Sequence, residues 1–325
     1  MRQLFGHVRA WSLGLACTLA LTTPASHAQG DWPSKPVRAI VSFPAGGATD
    51  NLARAFAKEL SDSLGQQFVV DNRGGAAGSI GTDAVAKAAA DGYTLLFGPA
   101  NPLTIVPHLR KTPYTLDDLV PIARLGTYVA GVAVRKSLGI DSMKEFVALA
   151  TRDPGKLTFG SSGIGGMSHI RLEALKAAAG IKVVHVPYKG GAELLQDLMG
   201  ERIDMMIENL FFPQVKQGQV KMIAVVGDRR LPDFPSIPTV AEAGFPEMNT
   251  PGTFAIFAPR GVSQAIVSKL NAAVIQIAQT PAMQRRMMDL GFMMEFDTSE
   301  ELGRKIRDEY ALYGRIVRAA GIEGQ

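Results

Sequence analysis

Two stretches of glycine and small residues are where this chain could do chemistry. They are Pro44-Ala45-Gly46-Gly47-Ala48-Thr49-Asp50 and Gly160-Ser161-Ser162-Gly163-Ile164-Gly165-Gly166-Met167-Ser168. Each follows an apolar run and leads into a helical pattern, the second at His169. Without side chains, a ligand can reach the backbone N–H groups. The first turn of the following helix adds unpaired amides and the positive end of the helix dipole. The chemistry on offer is capture of an anion, gripped from two sides. Plain tight turns would use the same glycines. A β-branched residue at Gly47 is expected to block the ligand's approach and to strain the turn.

Other chemistries find no footing. Neither loop satisfies G-x-x-x-x-G-K-[ST], and Ser168 stands where G-x-G-x-x-G needs its third glycine. Gly74-Gly75-Ala76-Ala77-Gly78 also has the wrong spacing for a nucleotide. A serine nucleophile elbow needs G-x-S-x-G, but Gly160-Ser161-Ser162-Gly163-Ile164 ends in isoleucine. Beyond residue 28 the histidines are His108, His169 and His185, with no HExxH spacing for zinc. His169, near a helix start, suits either a ligand contact or internal packing, whereas His185 in a strand reads as structural. Met283, Met287, Met288, Met293 and Met294 follow helical packing spacing and read as core. No catalytic set, metal site or cofactor site is expected.

The elements that must position the loops alternate between strand and helix, as in α/β layers. Val37 to Phe43 is an apolar strand, followed by Leu52, Phe56, Leu60 and Leu64 on one helix face with Gly65 as the stop. Further strands are expected at Phe68 to Val70, Tyr93 to Phe97, Leu157 to Phe159 and Val183 to Val186. Ile203 to Ile207, Met222 to Val226 and Phe254 to Ala258 complete the series. Ser142-x-x-Glu145 and Thr298-x-x-Glu301 fit capping boxes, and Gly180, Gly200 and Gly291 mark helix ends. The pattern forms one βα series to about residue 128 and a second from about 131 to 226. A final tail of about 70 mostly helical residues is too small for its own core and should pack back on the first lobe. The expected division is 29–128 and 251–325 in one lobe and 129–250 in the other. The hinge would lie near Gly126 to Ala130 and Asn249 to Gly252.

The N-terminus points to export. Arg2 and Arg9 precede an apolar run from Trp11 to Leu21, and Ser26-His27-Ala28 is an A-x-A-like cleavage site before Gln29. Residues 1–28 therefore read as a signal peptide, too short to span a bilayer comfortably. The one cysteine, Cys17, falls inside it, so the remainder has neither a disulfide framework nor a cysteine-ligated metal. Loss of Arg2 and Arg9 takes the formal charge from +4 to +2. That balance offers no electrostatic case for nucleic acid or an anionic membrane.

The chain resembles the tripartite tricarboxylate transporter substrate-binding family, also called Bug or TctC proteins. The resemblance rests on Trp32-Pro33-Ser34-Lys35-Pro36, Phe43 to Asp50, Asp71 to Gly78 and Ala90 to Leu96. Val184-His185-Val186-Pro187-Tyr188-Lys189-Gly190 and Ile237 to Gly244 continue it in the same order. It implies a two-lobed type II periplasmic-binding-protein fold, each lobe a mostly parallel sheet flanked by helices, with the ligand cleft between lobes. It further implies a monomer that captures a small carboxylate for a membrane permease, not an enzyme. A ligand-sensing subunit and a periplasmic enzyme are the alternatives. By resemblance, the first-lobe contacts are Ala45, Gly46, Gly47, Ala48, Thr49 and Asp50, with Asn101 nearby. The second-lobe contacts are Ser161, Ser162, Gly163, Gly165, Gly166, His169, Tyr188, Lys189, Gly190 and Glu208. The family commonly has a hydroxyl residue at Gly166 and Asp at Glu208, so the ligand's identity does not carry over.

Overall fold

The structure, a computed structural model, describes residues 32–188, 191–250 and 252–322. The expected signal peptide and cleavage site lie outside these residues, as do Lys189 and Gly190. From Pro33 onward the chain builds two sheets. The first begins with β1 (Val37–Val41), α1 (Ala48–Leu64), β2 (Phe68–Asn72), α2 (Ser79–Ala86) and β3 (Thr94–Pro99). Two single-turn helices, α3 (Asn101–Thr104) and α4 (Val106–Leu109), lead to the long β4 (Leu119–Tyr128).

One residue later the chain is in the second sheet. It comprises β5 (Ala130–Val134), α5 (Met143–Arg152), β6 (Thr158–Ser161), α6 (Met167–Ala179), β7 (Val184–Pro187) and α7 (Gly191–Met199). Then come β8 (Met205–Glu208), α8 (Phe212–Lys216) and β9 (Lys221–Val226). The return segment is β10 (Thr253–Pro259), α9 (Gln264–Ala278), α10 (Pro281–Asp289), β11 (Phe292–Met293) and α11 (Ser299–Ala320).

The first sheet has the order β11-β4-β10-β3-β1-β2, the second β7-β6-β8-β5-β9. The returning strand β10 is inserted between β3 and β4, antiparallel to both. Both sheets are flanked by helices, and similar solved structures described below share this two-lobed α/β fold. Most strands of each sheet share one direction, and the reversed ones, β10 and β11 in the first and β5 in the second, make the pairings mixed. β1 pairs parallel with β2 and β3, and β6 with β7 and β8, while β4, β5, β9, β10 and β11 run antiparallel to their neighbours. Apart from β11, these are the strands that carry the chain between sheets, from β4 to β5 and from β9 to β10.

Local sequence explains the elements that frame the site. Leu52, Phe56 and Leu60 are fully buried on one face of α1, and Gly65 ends it in the left-handed region at φ 72°. Thr298 and Glu301 form the expected reciprocal box at the start of α11. At α5, Ser142 Oγ accepts the Glu145 amide, but the Glu145 carboxylate accepts from Asp141 instead of from Ser142. Each sheet has its own apolar core, around Ile40, Leu96 and Phe257 in the first and Val132, Phe159 and Leu172 in the second. A separate cluster of Ile105, Ile170, Tyr313 and Val317 joins α6 of the second lobe to α11 of the first. Among the described residues, no helix is long and apolar enough to cross a membrane.

Candidate functional site

The loop between β1 and α1 is held by one carboxylate. Asp50 is 2 % exposed, and its Oδ2 accepts the Gly46 amide at 2.9 Å and Arg54 Nε at 3.0 Å. Its Oδ1 accepts Asn72 Nδ2 at 3.0 Å, and the same nitrogen reaches Phe43 O. Burial pushes this carboxyl up, but Arg54, the Gly46 amide and Asn72 outweigh it and hold it below the ordinary range. Asp50 is thus a brace whose oxygens are already engaged. The backbone strain lies at Gly46, with φ +84°, and not at Gly47, whose φ −79° and ψ 173° any residue adopts.

Histidines hold the second loop. Ser161 is fully buried and its Oγ lies 2.6 Å from His185 Nε2, while it accepts the Gly163 amide at 3.2 Å. The Gly165 amide donates to His169 Nδ1 at 3.1 Å, which leaves the His169 proton on Nε2, 3.5 Å from Glu173 Oε1. The two imidazoles stack with centroids 4.0 Å apart and planes 10° apart. Burial lowers His185 to about 4. Gly163 and Gly165, at φ 131° and 74°, make the bends that let this loop turn into α6.

Between the loops lies a cavity of about 480 Å³. Of the expected contacts, Ala48, Thr49, Asn101, Ser162, Gly163, Gly165, Gly166, Tyr188 and Glu208 line it. Ala45, Gly46, Gly47, Asp50, Ser161 and His169 do not; Asp50, Ser161 and His169 are buried and hold loop amides from behind, while Ala45, Gly46 and Gly47 are exposed. A larger cavity of about 930 Å³, beside α8 and α10, takes only Ala48 from the expected set.

Helices α3, α4 and α8, of four or five residues, are uncapped wherever they lie, but among the longer helices with a described N-cap the starts distinguish this cleft. Helices α5, α9, α10 and α11 each begin with a Ser or Thr whose hydroxyl accepts a first-turn amide. Helices α1 and α6 begin at Gly47 and Gly166 with no side-chain cap, and their first residues lie on the cavity wall. Helix α2, starting beside the wall residue Ala77, is uncapped as well. Orphan amides in need of an acceptor therefore converge on one space. Such a geometry suits an anion.

The chain belongs to the tripartite tricarboxylate transporter receptor family. The family described as "Tripartite tricarboxylate transporter family receptor" matches residues 52–322. Protein BugT of Bordetella pertussis is 34 % identical over 309 residues, covering 94 % of each chain. Among solved structures, R. palustris Rpa4515 with adipate is 33 % identical with a TM-score of 0.80, over 91 % of this chain and 100 % of that one. The periplasmic binding protein BugD is 32 % identical with a TM-score of 0.77, over 90 % and 100 %. MatC (Rpa3494) from Rhodopseudomonas palustris with bound malate is 29 % identical with a TM-score of 0.76, over 88 % and 99 %. This is a receptor family of substrate-binding proteins rather than of enzymes.

Several wall residues of this receptor escape the motifs. Tyr128 ends β4, Phe254 lies on β10, and Glu309 and Tyr313 come from α11. The Tyr128 hydroxyl lies 2.8 Å from Glu208 Oε2, and the Ser162 hydroxyl donates to Glu208 Oε1 at 2.8 Å. Glu309 is 4 % exposed and accepts the Thr253 hydroxyl; burial raises its carboxyl to about 7. Tyr188 Oη donates to Asp197 Oδ2 at 2.7 Å, and burial together with that carboxylate pushes the phenol up to about 12. One signal for Glu309 was present in the sequence. It falls on the apolar stripe Leu302, Ile306, Tyr313, Val317 of α11, where a carboxylate has no packing reason to be.

Proposed function

We propose that this protein is an exported, periplasmic receptor that captures a small carboxylate for a membrane permease of the tripartite tricarboxylate type. The observation that carries it is the pair of uncapped helix starts, α1 and α6, facing one cavity from two lobes. A carboxylate there accepts from the amides of Ala48 and Thr49 and, directly or through water, from the Ser162 to Gly166 loop. Relatives solved with adipate and malate support the ligand class. Residues 1–28 act as the signal peptide. The lobes are 29–128 with 251–325, and 129–250, and as a hinged monomer they close on the ligand near Val129 and Asn249 to Gly252. Lys189 and Gly190, next to the wall residue Tyr188, extend the second-lobe contacts in this reading.

Mass spectrometry of the small molecules released on denaturing periplasmically expressed protein tests the proposal, followed by calorimetry with whatever is found. A stoichiometric carboxylate with measurable affinity is the expected result. Release of a non-carboxylate ligand, or failure to bind any aliphatic carboxylate, overturns it.

A further inference from the structure

The wall of the cleft is chemically lopsided. Backbone amides serve one anionic group, but the charged side chains described on the wall are carboxylates. They belong to Glu208 and Glu309. Each Glu208 oxygen accepts one hydroxyl and retains a second lone pair. The rings of Tyr128, Phe254 and Tyr313 stand on the same wall. Among the described residues, no lysine or arginine lines it.

Resting on the carboxylate reading above, we infer that the ligand's second polar group is a hydrogen-bond donor, an ammonium or a hydroxyl, rather than a second carboxylate. A second carboxylate would be stripped of water beside Glu208 and Glu309, with like charges disfavouring it. A donor satisfies either acid, and an ammonium gains further from the rings. The buried cation nearby does not reverse this. Arg171 is 1 % exposed, lies behind the wall, and directs Nε and Nη2 at Thr250. Its charge acts on Glu208 through space and offsets part of that repulsion; its Nη1 has no hydrogen-bond partner among the described residues, but Arg171 does not line the cavity.

Matched ligands on the mature protein read the second group directly. At pH 8, calorimetry compares 6-aminohexanoate, 6-hydroxyhexanoate, adipate and hexanoate, and the four-carbon set of 4-aminobutyrate, 4-hydroxybutyrate, succinate and butyrate. We expect the tightest ligand to be an amino or hydroxy acid, at least about tenfold tighter than the dicarboxylate of equal length. Glu208→Gln should narrow that gap to about threefold, and Glu309→Gln provides the same reading if the first variant folds poorly. Adipate or succinate as the tightest ligand overturns the inference while leaving the carboxylate receptor intact. If that affinity then disappears in Lys189→Ala, the second group belongs to Lys189. No binding by any of the eight overturns both.

Discussion

The Gly165 amide donates to Nδ1 of His169 at 3.1 Å, so this histidine faces the back of the binding loop rather than the cavity. Its removal leaves an amide without its acceptor at a bend that only glycine makes easily, at φ 74°. His169→Ala should lower ligand-free stability by about 1 to 3 kcal/mol, the usual cost of a buried group left unpaired. Affinity should fall with it, because the loop amides lose their fixed direction. Melting of the ligand-free variant decides the matter. A direct ligand contact would cost affinity and leave the melt unchanged.

Glu309 makes stability depend on pH in an unusual direction. Its folded carboxyl titrates at about 7 against an ordinary 4.5. Between those values the folded state binds more protons than the unfolded chain. Stability is therefore full below about pH 4.5 and declines as the pH rises to 7, after which the loss is constant. Glu309→Gln keeps an acceptor for Thr253 and removes the charge. It should be about 2 to 3 kcal/mol more stable than the parent at pH 8.5 and nearly equal to it at pH 4.5. Equal melting curves at both pH values would show that the carboxyl is not displaced.

Much of this architecture was legible because the relevant strands are short apolar runs punctuated by Gly or Pro. Val37 to Val41 starts as expected and stops two residues short of Phe43, and Thr253 to Pro259 extends the expected Phe254 to Ala258 by one residue at each end. Strands β4 and β5 were not. Pro121, Arg124 and Gly126 interrupt β4, and its pairing with β10 shifts register twice, which blurs the period of two. At the site, loops that bind through backbone were readable as glycine clusters. Tyr128, Phe254 and Tyr313 were not, because an aromatic residue facing a cleft has the same sequence pattern as one facing a core. Asp50 was recognisable as part of the loop, but its role was inverted, since only the fold brings Asn72 to it.

Asp50→Asn tests that inverted role. The amide would place an NH₂ group against donors from Gly46, Arg54 or Asn72. A cost of about 2 kcal/mol is expected from lost charged hydrogen bonds. The carboxyl is held below its ordinary 3.8. Its stabilisation is therefore present throughout the neutral range and is lost as the pH falls below that value. Chemical denaturation of parent and variant at pH 7 and pH 3 should show the difference at the first pH and a smaller one at the second. If Asp50→Asn matches the parent at pH 7 but no longer binds ligand, Asp50 contacts the ligand after all.

Gly47 allows the helix amides to be tested without disturbing the fold. Its backbone is extended, and a Cβ there would meet nothing nearer than Pro44 O at 3.8 Å. Asp is a favoured N-cap, and its carboxylate could accept first-turn amides of α1 as an internal substitute for the ligand. Relative to glycine the cap adds only a few tenths of a kcal/mol, so the melting temperature of Gly47→Asp should stay level or rise slightly. Carboxylate binding should fall by about thirtyfold or more, since the ligand meets both an occupied donor set and a like charge. Gly47→Ala adds a methyl group without an acceptor and should stay within about threefold of the parent, because the amides remain free. Calorimetry and melting on this pair separate capping from crowding. Should Gly47→Asp bind as the parent does, the amides of α1 are not the anion site, and the grip must come from α6 alone.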